Sequence, residues 1–531
     1  MRKKILLFLV ALTATMWSAA KAQSAGTVDT SWGTNGVVQT AIGSGDWIAD
    51  IIQEIATYPN GKIIAVGSTK FSTITRVALV RYNADGSLDN TFGKSGSGQL
   101  VLEDETDDDS YFQTAADVKI LEDGKILVCG RLFDGKKTKV LLLKFNDNGS
   151  LDTSFGDKGI VKDEFPNGGM ALEKMALQSD GKIVVGGYHQ DNLAAVRYNA
   201  DGSRDNTYGN QGMCVLIVPN STNFSFAKSM DIQADNKVIL GGFYNESSIW
   251  KWVIARINTD GTIDMSFGDS GIKKMSIGSG NDYITAVKVM PNGKILIGGH
   301  SWDKNPPDME YSIAFVRLNE DGTLDNSFAT EGKGIIRKKL IDKYENYLTD
   351  IVVNQDGKIY GSVNVRQAST DKNDIGIISL TKDGKLNNDF GSNGMVITDV
   401  IKNSSDESKS IALQSDGKII VGTLAFYGGK GSPFTLVRYH SDSNVGTDTE
   451  EVTSDIKTIT VYPNPTKEIL NIAINETLNS YKVQIFDMAG SIVMTTANTK
   501  TIDVSKLDSG NYIVKVICAD KQVFVSRFTK K

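Results

Sequence analysis

The feature that most constrains this chain is a unit of about 60 residues that recurs seven times between residues 27 and 440. One copy reads GIV (Gly159 to Val161), then MALQSDGKIVVGG (Met175 to Gly187), then AAVRYNADGSRDNTYGNQG (Ala194 to Gly212). Its DGK-type turn ends at Lys62, Lys125, Lys182, Lys237, Lys294, Lys358 and Lys418, spaced 55 to 64 residues apart. An aromatic-Gly element, led by Trp32, Phe92, Phe155, Tyr208, Phe267, Phe328 and Phe390, recurs as often, with Ala329 in place of one glycine. Apolar runs within the unit are short and β-branched, broken by Gly, Asn and Asp, and show no helical period. Four strands per unit are expected. In the third unit these are a short strand near Ile160, a second ending near Gln178, a third over Lys182 to Val185 and a fourth over Ala195 to Tyr198.

A lone four-stranded sheet cannot bury two apolar faces, so the units must stack, and radial closure removes the exposed edge. A linear solenoid is the alternative. The ends of the array favour a ring, because it starts at Val28-Asp29 with an aromatic-Gly element and stops after Val437-Arg438-Tyr439 without one. The expected fold is all-β: a seven-bladed β-propeller over 27–440, followed by a small, immunoglobulin-like β-sandwich.

VDTSWG (Val28 to Gly33), LDNTFG (Leu88 to Gly93), LDTSFG (Leu151 to Gly156) and IDMSFG (Ile263 to Gly268), each paired with a DGK-type turn, resemble the bacterial delta-60 repeat. The resemblance implies the propeller and an extracellular setting, and brings no catalytic motif. Residues 1–22 fit a removable signal peptide, with Arg2, Lys3 and Lys4, an apolar run from Ile5 to about Ala14, and Ala20-Lys21-Ala22. No other stretch has the roughly 18 apolar residues of a membrane-spanning helix.

After Tyr439 a polar, acidic stretch reads as a linker over 441–457, and alternating strands follow over 458–531. Within the latter, YPNPTKEILNI (Tyr462, Pro463, Asn464 and Pro465 leading), VQIFDMAGSIV (with Asp487 and Gly490) and LDSGNYIVKV (with Leu507, Gly510 and Tyr512) resemble the type A sorting domain of the type IX secretion system. That resemblance implies the secretion machinery as partner, a Bacteroidetes-type bacterium, and a final place on the cell surface or outside the cell.

With 57 basic against 63 acidic side chains the chain lacks the basic surface that nucleic acid requires. Cys129, Cys214 and Cys518 have no metal-ligand spacing and read as small core residues. In an up-and-down blade the DGK and N-x-D-G turns share one face, which is nearly uniform from copy to copy. The other face carries variable loops, where recognition belongs. These are expected to carry Arg131, Phe133, Tyr188, His189, Phe243, Tyr244, Trp250, His300, Trp302, Phe426 and Tyr427, whose rings suit sugars or a protein partner. His189 and His300 follow Gly-Gly pairs and are read as matching, solvent-exposed loop residues. No nucleophile motif accompanies them and no catalytic or metal-binding residue is assigned.

The acidic run Glu103 to Asp109 is read as a solvated loop. The runs starting at Asn83, Asn199, Asn258 and Asn319 alternate oxygen groups like calcium loops, yet their glycine sits at position four, so side-chain-to-backbone turns are expected, with structural calcium as the alternative. A recurring basic residue (Arg81, Lys144, Arg197, Arg256, Arg317, Arg438; Ser379 in the sixth copy) predicts a structural ion pair with the Asp of the following element. The leading functional expectation is a surface binding or adhesion module for glycan or protein, the alternatives being a polysaccharide-degrading enzyme and a structural spacer.

Overall fold

The computed structural model describes residues 24–442, except 43–47, 72–73, 103–111, 166–167, 223, 305–310, 330–333, 342–343, 368–371, 403 and 427–430, and residues 457–531, except 459, 474–480, 487–491 and 519–522. The expected signal peptide, the acidic run at Glu103 to Asp109, Tyr427, Asp487, Gly490 and most of the expected linker thus lie outside the described residues. The chain divides into two compact units, 1–445 and 446–531. Among the described residues no helix is long and apolar enough to cross a membrane.

The first unit is the seven-bladed propeller. Blade three shows the plan: inner strand Met170–Leu177, then Ile183–His189, Asn192–Tyr198 and the short outer strand Met213–Leu216, all antiparallel. The strand near Ile160 (Ile160–Asp163) pairs with Thr138–Phe145 and is the outer strand of blade two, so the expected unit frame is offset from the blade by one strand. The second strand also runs four residues beyond Val185, because the hairpin needs only Gln190 and Asp191, both at positive φ, to turn.

Each inner strand packs on the next, and Asp406–Leu413 closes the circle on Ile51–Thr57. Closure is finished at the rim, where Val37–Thr40 supplies the outer strand of blade seven by pairing with Phe434–Val437. The apolar cores lie between blades: Val66 and Leu79 of blade one pack with Ala115 and Val128 of blade two, and Ile52 and Val80 with Ile420 and Leu436 of blade seven.

The uniform face owes its uniformity to one repeated staple. In blade one, the Arg81 guanidinium pairs with Asp89 at 2.6 Å, lies 4.8 Å from the Phe92 ring centre and donates to the Asp147 carbonyl of blade two. Arg197, Arg256 and Arg317 repeat this with Asp205, Asp264 and Asp325, each donating to a carbonyl of the next blade. Lys62, Lys182, Lys237 and Lys294 of the DGK turns pair with the same carboxylates. In five copies the N–H after the aromatic adds a backbone bond to the neighbouring turn, as from Gly156 to Asp201 and from Ala329 to Asp383, and Gly391 donates to Ala25. Ala329 keeps the left-handed φ of 75° that glycine holds elsewhere.

Blade seven takes its carboxylate from the other end of the chain: Asp29, fully buried, pairs with Arg438 at 2.9 Å, and Arg438 stands over Trp32. Blade six has lost the pair to Ser379 and Asn387. Asp442, in the segment leaving the ring, fills the gap by accepting from Lys358, Tyr360 and Asn387.

The second unit holds a sheet of five strands and one of three around Val461, Leu470, Val483, Val514 and Phe528. Tyr462 is exposed, the Asn464 side chain bonds the backbone of Arg527 and Thr529, and the Tyr512 hydroxyl donates to the Asp508 carbonyl at 2.9 Å. Leu507 packs on the core.

Asp29→Ala strands a buried guanidinium at the closure. The propeller's unfolding free energy, read from the urea midpoint, is expected to fall by about 3–5 kcal/mol; an unchanged midpoint would mean that strand pairing alone closes the ring.

Candidate functional site

The geometry of the axis starts from a defect shared by every blade. Each inner strand carries one residue that its neighbour's register skips: Gln53, Ala116, Glu173, Lys228, Thr285, Thr349 and Lys409. Such a β-bulge re-aims side chains, and these seven together line a constriction of about 130 Å³ on the axis. The bulge also pushes a carbonyl against the second strand. In five blades a glycine faces it, as at Gly187, where a Cβ would sit 1.9 Å from the Ala171 oxygen. The recurrent Gly-Gly of the repeat is therefore a packing requirement.

Toward the DGK turns the channel widens into a chamber of about 770 Å³ containing Glu54, Asp117, Lys174 and Asp350. Lys174 of blade three crosses to pair with Glu54 of blade one. The acids brace neighbouring inner strands: Asp117 accepts the Met175 N–H at 2.9 Å, Asp350 that of Ile411 at 3.2 Å, and Glu54 accepts from Ser410 and the Ile55 N–H. Burial, with the Asp350 and Asp117 charges nearby, raises the Glu54 carboxyl against the pull of Lys174. These carboxylates are committed to inter-blade bonds and to two lysines, Lys174 and, at 3.2 Å from Asp117, Lys119, which is a structural use.

Toward the variable face lies a different cavity, of about 580 Å³, walled by Phe243, Tyr283, His300, Tyr311 and Tyr347 and floored by polar groups including Glu173, Lys228, Thr349, Asn364, Ser408 and Lys409. Its wall belongs to a run of nine rings across blades three to six. Tyr188 meets Phe226 edge-on at 4.7 Å; Phe226 and Trp250 flank Phe243; Phe243 meets Tyr283 at 5.0 Å. His300 sits among Tyr283, Tyr311 and Tyr347 at 5.1–5.5 Å, and Trp302 ends the run beside Tyr311. All nine are half-buried, so each packs on its neighbours and keeps part of its surface open.

The expected site residues divide accordingly. Phe243 and His300 line the cavity, and Tyr188, Trp250 and Trp302 extend its wall. Arg131 reaches the constriction, while Phe133 and Phe426 are exposed apart from the run. Tyr244 and His189 are buried, at 2% and 5% exposure. Most of these residues were expected on loops, yet all the described ones but Phe426 stand on strands; in blades three and four the hairpins turn in two residues, Gln190-Asp191 and Ser247-Ser248. The histidines do not match either. His300 directly follows its Gly-Gly pair and His189 follows one residue later, so alternation sends them to opposite sides of their sheets. Neither is a solvent-exposed loop residue.

Phe226, Tyr283, Tyr311 and Tyr347 were not anticipated. Phe226, Tyr283 and Tyr347 each stand two residues before the bulge of the inner strand in successive blades (SFAKSMDI, DYITAVKV, ENYLTDIVV), a repetition visible once the copies are aligned on the bulge. The N-x-D-G runs form local turns as expected, with Asp85, Asp201, Asp260 and Asp321 accepting from the residue two further on. Cys129 and Cys214 are buried and free.

Lys174→Met takes the ion-pair partner from the buried Glu54 carboxylate, and a loss of about 3–5 kcal/mol in urea unfolding is expected. Burial lowers the His300 imidazole to about 4. In the unfolded chain it titrates near its ordinary value of about 6.5, so the unfolded state binds the extra proton between these values and the contribution of His300 to stability declines as pH falls from about 6.5 to 4. A His300→Phe variant is expected to lose less stability than the native chain over that interval; identical pH profiles of melting temperature would contradict the half-buried, neutral imidazole.

Comparison with known proteins fits this geometry. Residues 59–92, 121–155, 178–208, 233–267, 291–328 and 414–445 match the family described as a domain of unknown function (DUF5122) beta-propeller, and residues 460–531 match the secretion system C-terminal sorting domain. The copy without a match, around Lys358 to Phe390, is the one in which Ser379 and Asn387 replace the ion pair. No curated protein matches. Similar solved structures include the β-propeller domain of the trilobed protease from Pyrococcus furiosus (10% identity, 74% of this chain and 92% of that one, TM-score 0.38). Prolyl oligopeptidase B from Galerina marginata is another (11% identity, 90% and 56%, TM-score 0.42). Ring and tail together place the chain among the β-propeller proteins that are built of delta-60-like DUF5122 repeats and carry a type IX secretion sorting domain.

Proposed function

We propose that this protein is a glycan-binding module displayed on or released from the cell surface, and that sugar rings bind in the aromatic cavity of the variable face. The observation that carries this reading is the wall of Tyr283, Tyr311, Tyr347, Phe243 and His300 above a floor of Thr, Asn, Ser, Lys and Glu side chains. Half-buried rings held by one another offer flat apolar faces at little entropic cost, and the floor offers donors and acceptors for hydroxyl groups. With His300 held neutral by burial, recognition there relies on stacking and hydrogen bonds. The committed state of Glu54, Asp117 and Asp350 favours binding over hydrolysis.

The sorting domain supports passage through the type IX machinery, and with it a Bacteroidetes-type host and a working life outside the cell. A rigid ring then serves as the exposed reader. The test is a glycan array probed with the chain lacking residues 1–22, followed by calorimetry on the best ligand. Tyr311→Ala and Tyr283→Ala are expected to weaken that ligand about 30-fold, the effect of removing a central aromatic anchor, with the melting temperature nearly unchanged. Silence across the array, or binding indifferent to both substitutions, would remove the proposal; capture of a protein through the same rings would replace it with protein recognition.

A further inference from the structure

Three carboxylates meet at the junction of blades six and seven, away from the aromatic cavity. Asp374 lies on the third strand of blade six (Lys372–Leu380), Asp399 directly follows its outer strand (Met395–Thr398), and Asp406 opens the inner strand of blade seven (Asp406–Leu413). One oxygen from each lies within 4.8 Å of the other two.

A cluster of acids alone would mean little, but Asp406 is unusual within it. The residue is fully buried, its Oδ2 accepts the Val400 and Ile401 N–H groups at 2.8 and 3.0 Å, and its Oδ1 is buried with no hydrogen-bond partner among the described residues. Asp282, at the same place in blade five, divides its two oxygens between the Ile277 and Gly278 N–H groups. The loop before Asp406 thus consumes one oxygen and leaves a charged, desolvated acceptor beside two further carboxylates. An unpaired buried acceptor is costly, and the Lys372 charge acts on Asp374. Burial first, then the Asp399 and Asp374 charges, push the Asp406 carboxyl up to about 6.

We propose that Asp374, Asp399 and Asp406 bind a calcium ion that joins blade six to blade seven on the variable face. Calcium holds oxygens at about 2.3–2.6 Å, so its ligands stand at most roughly 5.2 Å apart, a limit that three oxygens within 4.8 Å of one another meet. The exposed side of Asp399 leaves room for water to complete the shell. The location also has a mechanical reason. Blade six is the copy whose basic residue became Ser379, so no side chain from that position can staple it to blade seven on the uniform face. A cation on the opposite face restores a link there. Calcium is abundant outside cells, where modules with dissociation constants of about 0.1–1 mM are useful.

The test uses the chain lacking residues 1–22, stripped with EDTA. Calorimetric titration of CaCl2 is expected to show one site in the native chain and none in Asp399→Asn, an exposed position chosen so that the variant folds. In thermal melts, about 10 mM CaCl2 is expected to raise the native melting temperature by a few degrees, with a much smaller shift from MgCl2 and none in the variant. Absence of a calcium effect, an equal effect in Asp399→Asn, or an equal response to magnesium would overturn the assignment.

Discussion

The ring depends on the arginine staple of the uniform face. A guanidinium offers five donors in a plane and stacks on an aromatic ring, so one side chain can pair with its own blade's aspartate, lie over its own blade's aromatic and donate to the next blade's turn. Burying such a charge is expensive unless every donor is used, and here the partners come from three separate motifs of the repeat. That coupling explains why DGK, N-x-D-G and LDxxFG vary so little between copies while their surroundings drift. Lys144 in blade two shows what a point charge does in the same place: it stands 3.8 Å from Asp152, and Lys125 makes the closer contact at 2.8 Å.

Fold and closure were legible because the staple forces identities at fixed spacing, and because Trp32 and its aspartate stand at the start of the array with no arginine before them. Strand limits were less legible. Ile160 precedes its blade-three neighbours in sequence, yet its pleat fits the back of blade two, since a strand that ends a blade and one that begins the next look alike until their partners are known. The reading of residues around His189 and Tyr244 as loops failed for a related reason. Two-residue turns made of Gln-Asp or Ser-Ser carry no Gly or Asn-Gly signal, so the strands run through the positions taken for loops.

The binding cavity was half visible. Large rings near the hairpin ends stood out individually, but the wall is made by contacts between blades, and Tyr283 and Tyr347 sit on inner strands where an aromatic residue reads as core. What puts them at the axis is the bulge one residue past the next position, which sets the pitch of every inner strand. No sequence rule announces that bulge in one copy. Its trace is the glycine opposite, repeated five times without a turn to justify it.

The two ends of the ring show how far the staple can be stretched. At blade seven the aspartate and the tryptophan arrive from residues 29 and 32, so closure repeats the ordinary inter-blade contact with a break in the chain. Blade six faces the point where the chain leaves blade seven, and the turn that would receive its staple is instead the exit segment. Asp442 turns back onto Lys358, Tyr360 and Asn387, so the carboxylate is retained while the guanidinium is lost. The ring is thereby least tied on its uniform face where it hands over to the segment beyond it, and the carboxylate cluster on the variable face lies at that same junction. A repeat protein must break its own pattern where the chain enters and leaves, and both breaks here keep the charge balance of the motif while changing which residues supply it.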